Sequence, residues 1–170
     1  MKTEVGSFRL DKDVMSKLKK EAKNENISLN SLVNKVLDRH VGWYSAVGML
    51  GLVPISPNAL ADLFKNMSED DIKKLAKKQV PLISENMLLL KHEDTLEGYL
   101  NLVKEYFTMC GFPLTVREKN GNITFTIQHS IGKKYSLYVE EIMRGRIENL
   151  TKDRAEISST TNTITFSVKE

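Results

Sequence analysis

The N-terminal segment constrains this chain most, because it offers one short strand-like stretch and no second strand within reach to pair with it. Residues 3 to 11, Thr-Glu-Val-Gly-Ser-Phe-Arg-Leu-Asp, alternate so that Gly6, Phe8 and Leu10 share one face and Val5, Ser7 and Arg9 the other. The period then changes. Val14, Leu18 and Ala22 recur every four residues among Lys17, Lys19, Lys20 and Lys23, the pattern of an amphipathic helix with one apolar stripe, with Asp11 or Asp13 placed to cap it. Asn24-Glu25-Asn26 break the pattern, and Ser28 caps a second helix carrying Leu32, Val33, Val36, Leu37 and Val41.

A single strand and two helices within about fifty residues cannot bury enough apolar surface to fold alone. Two copies solve the problem by pairing their strands antiparallel and interlocking their helices around Phe8, Leu10, Leu18, Leu32 and Val36. The two-stranded ribbon then exposes Val5, Ser7 and Arg9 from each chain, and a ribbon of that width enters the DNA major groove. Free amides and the helix dipole at the start of the second helix favour an anion there. The lysine face of the first helix reads as a solvated face.

Val5-Gly-Ser-Phe-Arg-Leu, then Val14, Leu18 and Ala22, then Ile27-Ser-Leu-Asn-Ser-Leu-Val-Asn resemble the ribbon-helix-helix superfamily of MetJ/Arc-type repressors, over residues 3 to about 45 only. The resemblance implies an obligate homodimer, base reading by Val5, Ser7 and Arg9, and phosphate held at the backbone amides of Ser28, Leu29 and Asn30. Val5 stands where the family often has a polar residue, and Gly6 where an apolar side chain is expected.

From Gly42 to Leu52 the chain becomes glycine-spaced and apolar, and Pro54 and Pro57 follow. The division expected here is a ribbon-helix-helix domain over 1–47 and a helical connector with an α+β effector or oligomerisation domain over 48–170. Within the latter, Pro57 to Met67 and Ser68 to Lys78 read as helices, with Pro81 ending or kinking the second. Residues 82–91 read as a third helix, and Thr95 to Cys110 as a firmer one. Asn120-Gly121 separates Leu114 to Lys119 from the alternating Ile123, Phe125 and Ile127, as a tight hairpin requires. Tyr135, Tyr138, Val139, Ile142, Met143, Ile147 and Leu150 are spaced as on a helix, and residues 154–168 return to alternation. The order is helix, hairpin, helix, hairpin, an α+β fold with antiparallel hairpins. Asn122-Ile-Thr-Phe-Thr-Ile127 and Thr163-Ile-Thr-Phe-Ser-Val168 suggest an internal repeat, or else two edge strands that chose the same alternation independently.

With 41% hydrophobic and 28% charged residues, the chain has the composition of a globular protein and not of a disordered tail. One cysteine cannot form an internal disulfide, and neither a signal peptide nor a membrane-spanning run is present, so a cytoplasmic protein without membrane attachment is expected. A formal charge of +3 permits nucleic-acid binding without demanding it. His40, His92, His129 and Cys110 lack metal-ligand spacing, and no nucleophile elbow or phosphate-cradling loop is found, so no metal, no cofactor and no enzymatic activity are expected. The stretch His129 to Tyr138 is a candidate ligand or partner surface, against the plainer reading that its tyrosines pack on the sheet. Trp43 and Tyr44 read as core or interface anchors.

The sequence therefore points to a homodimeric or higher-order DNA-binding transcriptional regulator, most simply a repressor that covers a promoter. Its C-terminal domain would sense a small-molecule or protein effector, or mediate assembly. The alternatives are an antitoxin-like protein whose C-terminal region binds a partner, and a dimerisation module that reads no DNA.

Overall fold

Helix α1 spans Lys12–Asn24 and α2 spans Leu29–Arg39, where the apolar period of four places them. The computed structural model describes residues 4–45, 53–91, 93–119, 121–152 and 155–169. Between the helices Asn26 adopts φ +59°, a left-handed position that asparagine tolerates better than most residues. Its amide donates to the Lys23 carbonyl at 3.2 Å and the Ile27 amide to the Ala22 carbonyl at 3.0 Å, closing the end of α1. Ser28 then opens α2, its Oγ accepting from the Ser31 amide at 3.0 Å, as its place before the apolar run predicts. A surface ion pair between Lys35 and Glu25 at 2.7 Å spans the turn. A π-helical turn at His40–Tyr44 continues α2.

The expected N-terminal strand is not observed: residues 4–11 carry no regular secondary structure. A strand exists through the ladder it shares with a neighbour, and among the described residues none pairs with this segment. Residues 1–51 form one compact unit and residues 52–170 a second, so the division falls a few residues beyond the expected 47/48.

In the second unit α3 (Pro57–Lys65) begins with Ser56 as cap and Pro57 at its first turn, where a missing amide costs nothing. Helix α4 runs over Glu69–Lys91 and corrects the sequence reading, which stopped or kinked a helix at Pro81 and began another at residue 82. Ile72, Ala76, Val80 and Met87 are buried along this one helix. Pro81 and Lys77 lie on its exposed side, so the carbonyl that Pro81 cannot serve is left to water. Burial on both sides of the proline outweighs the lost hydrogen bond. Helix α5 (Leu96–Met109) starts at Thr95, whose side chain accepts from the Gly98 amide.

The hairpin around residues 120–121 forms as expected, β1 (Leu114–Lys119) against β2 (Asn122–Gln128), with Gly121 at φ +71°. Helix α6 (Lys133–Thr151) and a second hairpin, β3 (Glu156–Ser159) and β4 (Thr163–Lys169), complete the helix-hairpin-helix-hairpin order. All pairings are antiparallel and the strand order is β1-β2-β4-β3. One sheet face carries Phe125, Ile127, Ile164, Phe166 and Val168 into a core shared with Val103 and Phe107 of α5 and Val139, Met143 and Ile147 of α6.

The two similar hexapeptides are the central strands, which corrects the notion of two edge strands. They lie side by side with Phe125 opposite Phe166, the rings stacked at 4.7 Å between centroids. Each ends a hairpin that follows a helix, so the unit has the two-fold arrangement that a duplicated helix-hairpin element produces.

Helices α4 and α6 approach closely at Gly145, where a Cβ would lie 2.8 Å from Val80 Cγ2. The next residue, Arg146, is 1% exposed. Its guanidinium pairs with Asp94, donates to Ser84 of α4, and lies 5.2 Å from the Tyr99 ring centroid of α5. This buried charge therefore joins three helices.

Candidate nucleic-acid interface

The three expected base-reading residues are all solvent-facing. Val5, Ser7 and Arg9 lie on the N-terminal arm, and Val5 is 97% exposed. A Cβ at Gly6 would lie 3.3 Å from the tip of the Phe8 ring, an exposed side chain with room to shift, so nothing in the single chain requires glycine there.

At the start of α2 the Ser28 hydroxyl is engaged by the Ser31 amide and by Ser31 Oγ at 2.7 Å. Leu29 and Asn30 follow in the first turn, where helix geometry leaves amides without an intrahelical acceptor. Asn30 is exposed and Leu29 half-buried. The Ser28 side chain holds the turn, which leaves the expectation of phosphate held at the backbone amides of Ser28, Leu29 and Asn30 as it stood.

The expected dimer core divides in two within the single chain. Leu32 is buried and Leu18 half-buried, but Phe8 is 73% exposed and Leu10 and Val36 are exposed as well. Val14, Leu37 and Val41 add to this apolar surface, while Ala22 and Leu32 are the only buried residues among those described in the unit. Trp43 is half-buried and Tyr44 exposed. Charge separates the units too. Residues 1–51 hold nine Lys or Arg against six Asp or Glu, and residues 52–170 hold sixteen of each, so the whole formal +3 belongs to the first unit.

In the second unit the candidate stretch from His129 to Tyr138 turns largely inward. His129, Tyr135 and Ser136 are buried, and the His129 and Tyr135 rings meet edge to face at 4.9 Å. Tyr138 packs on Phe64 at 5.2 Å between centroids. Lys134 donates to the Lys65 and Met67 carbonyls at 2.8 and 2.7 Å, closing the end of α3. His129 Nε2 lies 2.9 Å from Ser136 Oγ. The pair has the separation of a base and a nucleophile but the opposite polarity. The Ile131 amide donates to Nδ1 at 3.1 Å, so the ring proton of neutral His129 sits on Nε2, and the Ser136 hydroxyl is left to donate to the Thr161 carbonyl at 3.1 Å. In that state His129 has no lone pair with which to take a proton from Ser136.

The opposite sheet face is polar. A shallow hollow of about 500 Å³ on it is lined by Lys119, Asn122, Thr124, Glu156, Ser167 and Lys169. Among the described residues no group of His, Cys, Asp or Glu is arranged to hold a metal, and no helix is long and apolar enough to cross a membrane. His92 lies outside the described residues.

Sequence reasoning missed Arg146 and Ser136. Arg146 had a signal, since it falls on the apolar stripe of α6 between Met143 and Ile147, where a charge demands a buried partner. Ser136 had none, because a serine one residue after a tyrosine in a helix start is ordinary. The sequence matches no protein-family model and no curated protein.

Proposed function

We propose that the chain is a homodimeric, sequence-specific DNA-binding regulator of ribbon-helix-helix type, acting as a repressor by occupying its operator. The observation that carries the reading is the mismatch in the N-terminal unit between a two-residue buried core and exposed Phe8, Leu10, Val14, Val36, Leu37 and Val41. A second copy covers that surface and at the same time supplies the missing partner for the arm. Pairing the arms antiparallel sets Ser7 and Arg9 of both chains on the outer side of a ribbon. Arg9 then reaches guanine edges or phosphate, Val5 a thymine methyl, and the Leu29 and Asn30 amides the flanking phosphates. Confinement of the net positive charge to this unit supports the same assignment.

The C-terminal unit serves assembly or effector sensing. Exposed Leu82, Leu88 and Leu89 on α4 and Leu63 on α3 support assembly, which makes homo-oligomers beyond the dimer part of the proposal. The test is titration of the full-length protein into a labelled mixed-sequence duplex over a series of salt concentrations. The reading expects binding that weakens linearly in log–log form, by roughly 0.9 per phosphate contacted, with a shallower slope for Arg9→Ala. No binding at low salt would leave the N-terminal unit as a dimerisation element only.

A further inference from the structure

The loop that leads from β2 into α6 is fastened by a chain of hydrogen bonds in which every proton has one possible place. The backbone amide of Ile131 can only donate, so His129 Nδ1, 3.1 Å away, must offer a lone pair. The ring proton then resides on Nε2 and goes to Ser136 Oγ at 2.9 Å. The hydroxyl of Ser136 passes its own proton to the Thr161 carbonyl in the β3–β4 turn at 3.1 Å. Asn162 in the same turn receives the Gly132 amide on its side chain at 3.1 Å and the His129 amide on its carbonyl at 3.0 Å. Helix α6 has no side-chain cap of its own, since Gly132 occupies that position at φ +107°. Its N-terminus is held by this chain instead.

We infer that His129 is an acid-sensitive latch: in its neutral Nε2–H form it locks the start of α6 to the β3–β4 turn, and a second proton on Nδ1 opens the lock. A proton on Nδ1 would face the Ile131 amide donor to donor. The groups around the ring do not offset the new charge. From the loop and α6 these are the Ile131 amide, the Ser136 hydroxyl and the Tyr135 ring. From the α5–β1 connection it is the Phe112 ring at 6.2 Å between centroids, and from the β3–β4 turn the Thr161 carbonyl. Of the charged side chains on the first turn of α6, Lys133 is exposed and Lys134 turns to the Lys65 and Met67 carbonyls. Among the described residues the titratable group in ring contact with His129 is the Tyr135 phenol, which burial pushes upward and which stays neutral through the physiological range. His129 is 8% exposed, and its burial lowers the proton affinity of the ring, in the same sense as the geometry.

Opening the latch frees the first turn of α6, which also carries Lys134 and its two bonds to the end of α3. The rearrangement would therefore reach the first helix of the C-terminal unit. This holds whether or not the N-terminal unit binds DNA.

The test uses the full-length protein in two parts. Nitrogen-detected NMR of the histidine rings should show His129 as the Nε2–H tautomer, titrating below the ordinary imidazole range. Hydrogen exchange should show the protection factors of the Ile131, Gly132 and Ser136 amides falling as pH drops below the ordinary imidazole range. The limit is about ten-fold per pH unit, for one proton taken up on opening. In His129→Gln that pH dependence should vanish. An Nδ1–H tautomer, a midpoint within the ordinary imidazole range, or the same pH dependence in the variant would overturn the proposal. The tautomer and titration are read on the wild-type protein, so they decide the matter even where the variant does not fold.

Discussion

Truncating Phe8 to alanine separates a dimeric N-terminal unit from a self-sufficient one. In the single chain Phe8 is 73% exposed, so its loss costs an isolated chain no more than about 0.5 kcal/mol, as for other surface positions. In the proposed dimer each Phe8 would enter the shared core, and burying a phenylalanine is worth about 1.5 to 3 kcal/mol. Two copies are lost per dimer, or about 3 to 6 kcal/mol. At about 1.4 kcal/mol per decade, the dimer dissociation constant should rise between about 10² and 10⁴-fold. Sedimentation equilibrium of the full-length protein over a wide concentration range measures this directly, with Lys17→Ala on the solvated side of α1 as control. An unchanged constant for Phe8→Ala, or a wild-type chain monomeric at all concentrations, would refute the reasoning.

Four further outcomes are expected. Arg9→Ala should weaken operator binding by about 1 to 3 kcal/mol without altering the thermal melt, and unaltered affinity would remove Arg9 from the reading surface. Gly145→Ala should destabilise the C-terminal unit by about 1 to 3 kcal/mol in denaturant titration, because the added methyl meets the stiff, buried Val80; a gain in stability, as helix propensity alone gives, would contradict the α4–α6 contact. Arg146→Ala should cost about 3 to 5 kcal/mol by the same assay, since it strands Asp94 and uncovers Tyr99, and a near-neutral result would deny the three-helix junction. Folding stability should be level above the ordinary imidazole range and fall as pH drops through it. In that window the unfolded chain takes up a proton that folded His129, with its lowered affinity, does not. The slope contributed by this group cannot exceed about 1.4 kcal/mol per pH unit, and its persistence in His129→Gln would assign it elsewhere.

Much of the fold was legible in the sequence because local signals and packing agree. Ser28 caps the helix it precedes, as its place before the apolar run announces, and Gly121 sits in the hairpin turn that its neighbour Asn120 announces. The sequence reading failed where a local signal met a tertiary force. Pro81 is a helix breaker by itself, yet α4 continues because Val80 and Met87 are buried on either side of it. The N-terminal alternation signals a strand, but a strand needs a neighbour, and among the described residues none pairs with the arm. The repeated hexapeptides were readable as strands, whereas their place at the centre of the sheet was not, because strand order depends on which faces pack. Alternation set Val5, Ser7 and Arg9 on one side of the arm and the resemblance gave them base reading; they are exposed, as are all residues 4–11. The His129–Ser136–Thr161 chain was hidden, since its members come together only when the β3–β4 turn lies against α6.

The central claim is most directly tested by selecting bound fragments from random duplex DNA with full-length wild-type protein and with a Ser7→Ala, Arg9→Ala double variant. The account predicts enrichment of a short palindromic or directly repeated motif by the wild type, and its loss in a variant that still dimerises. Equal enrichment by both proteins, or none by either at moderate salt, would contradict it.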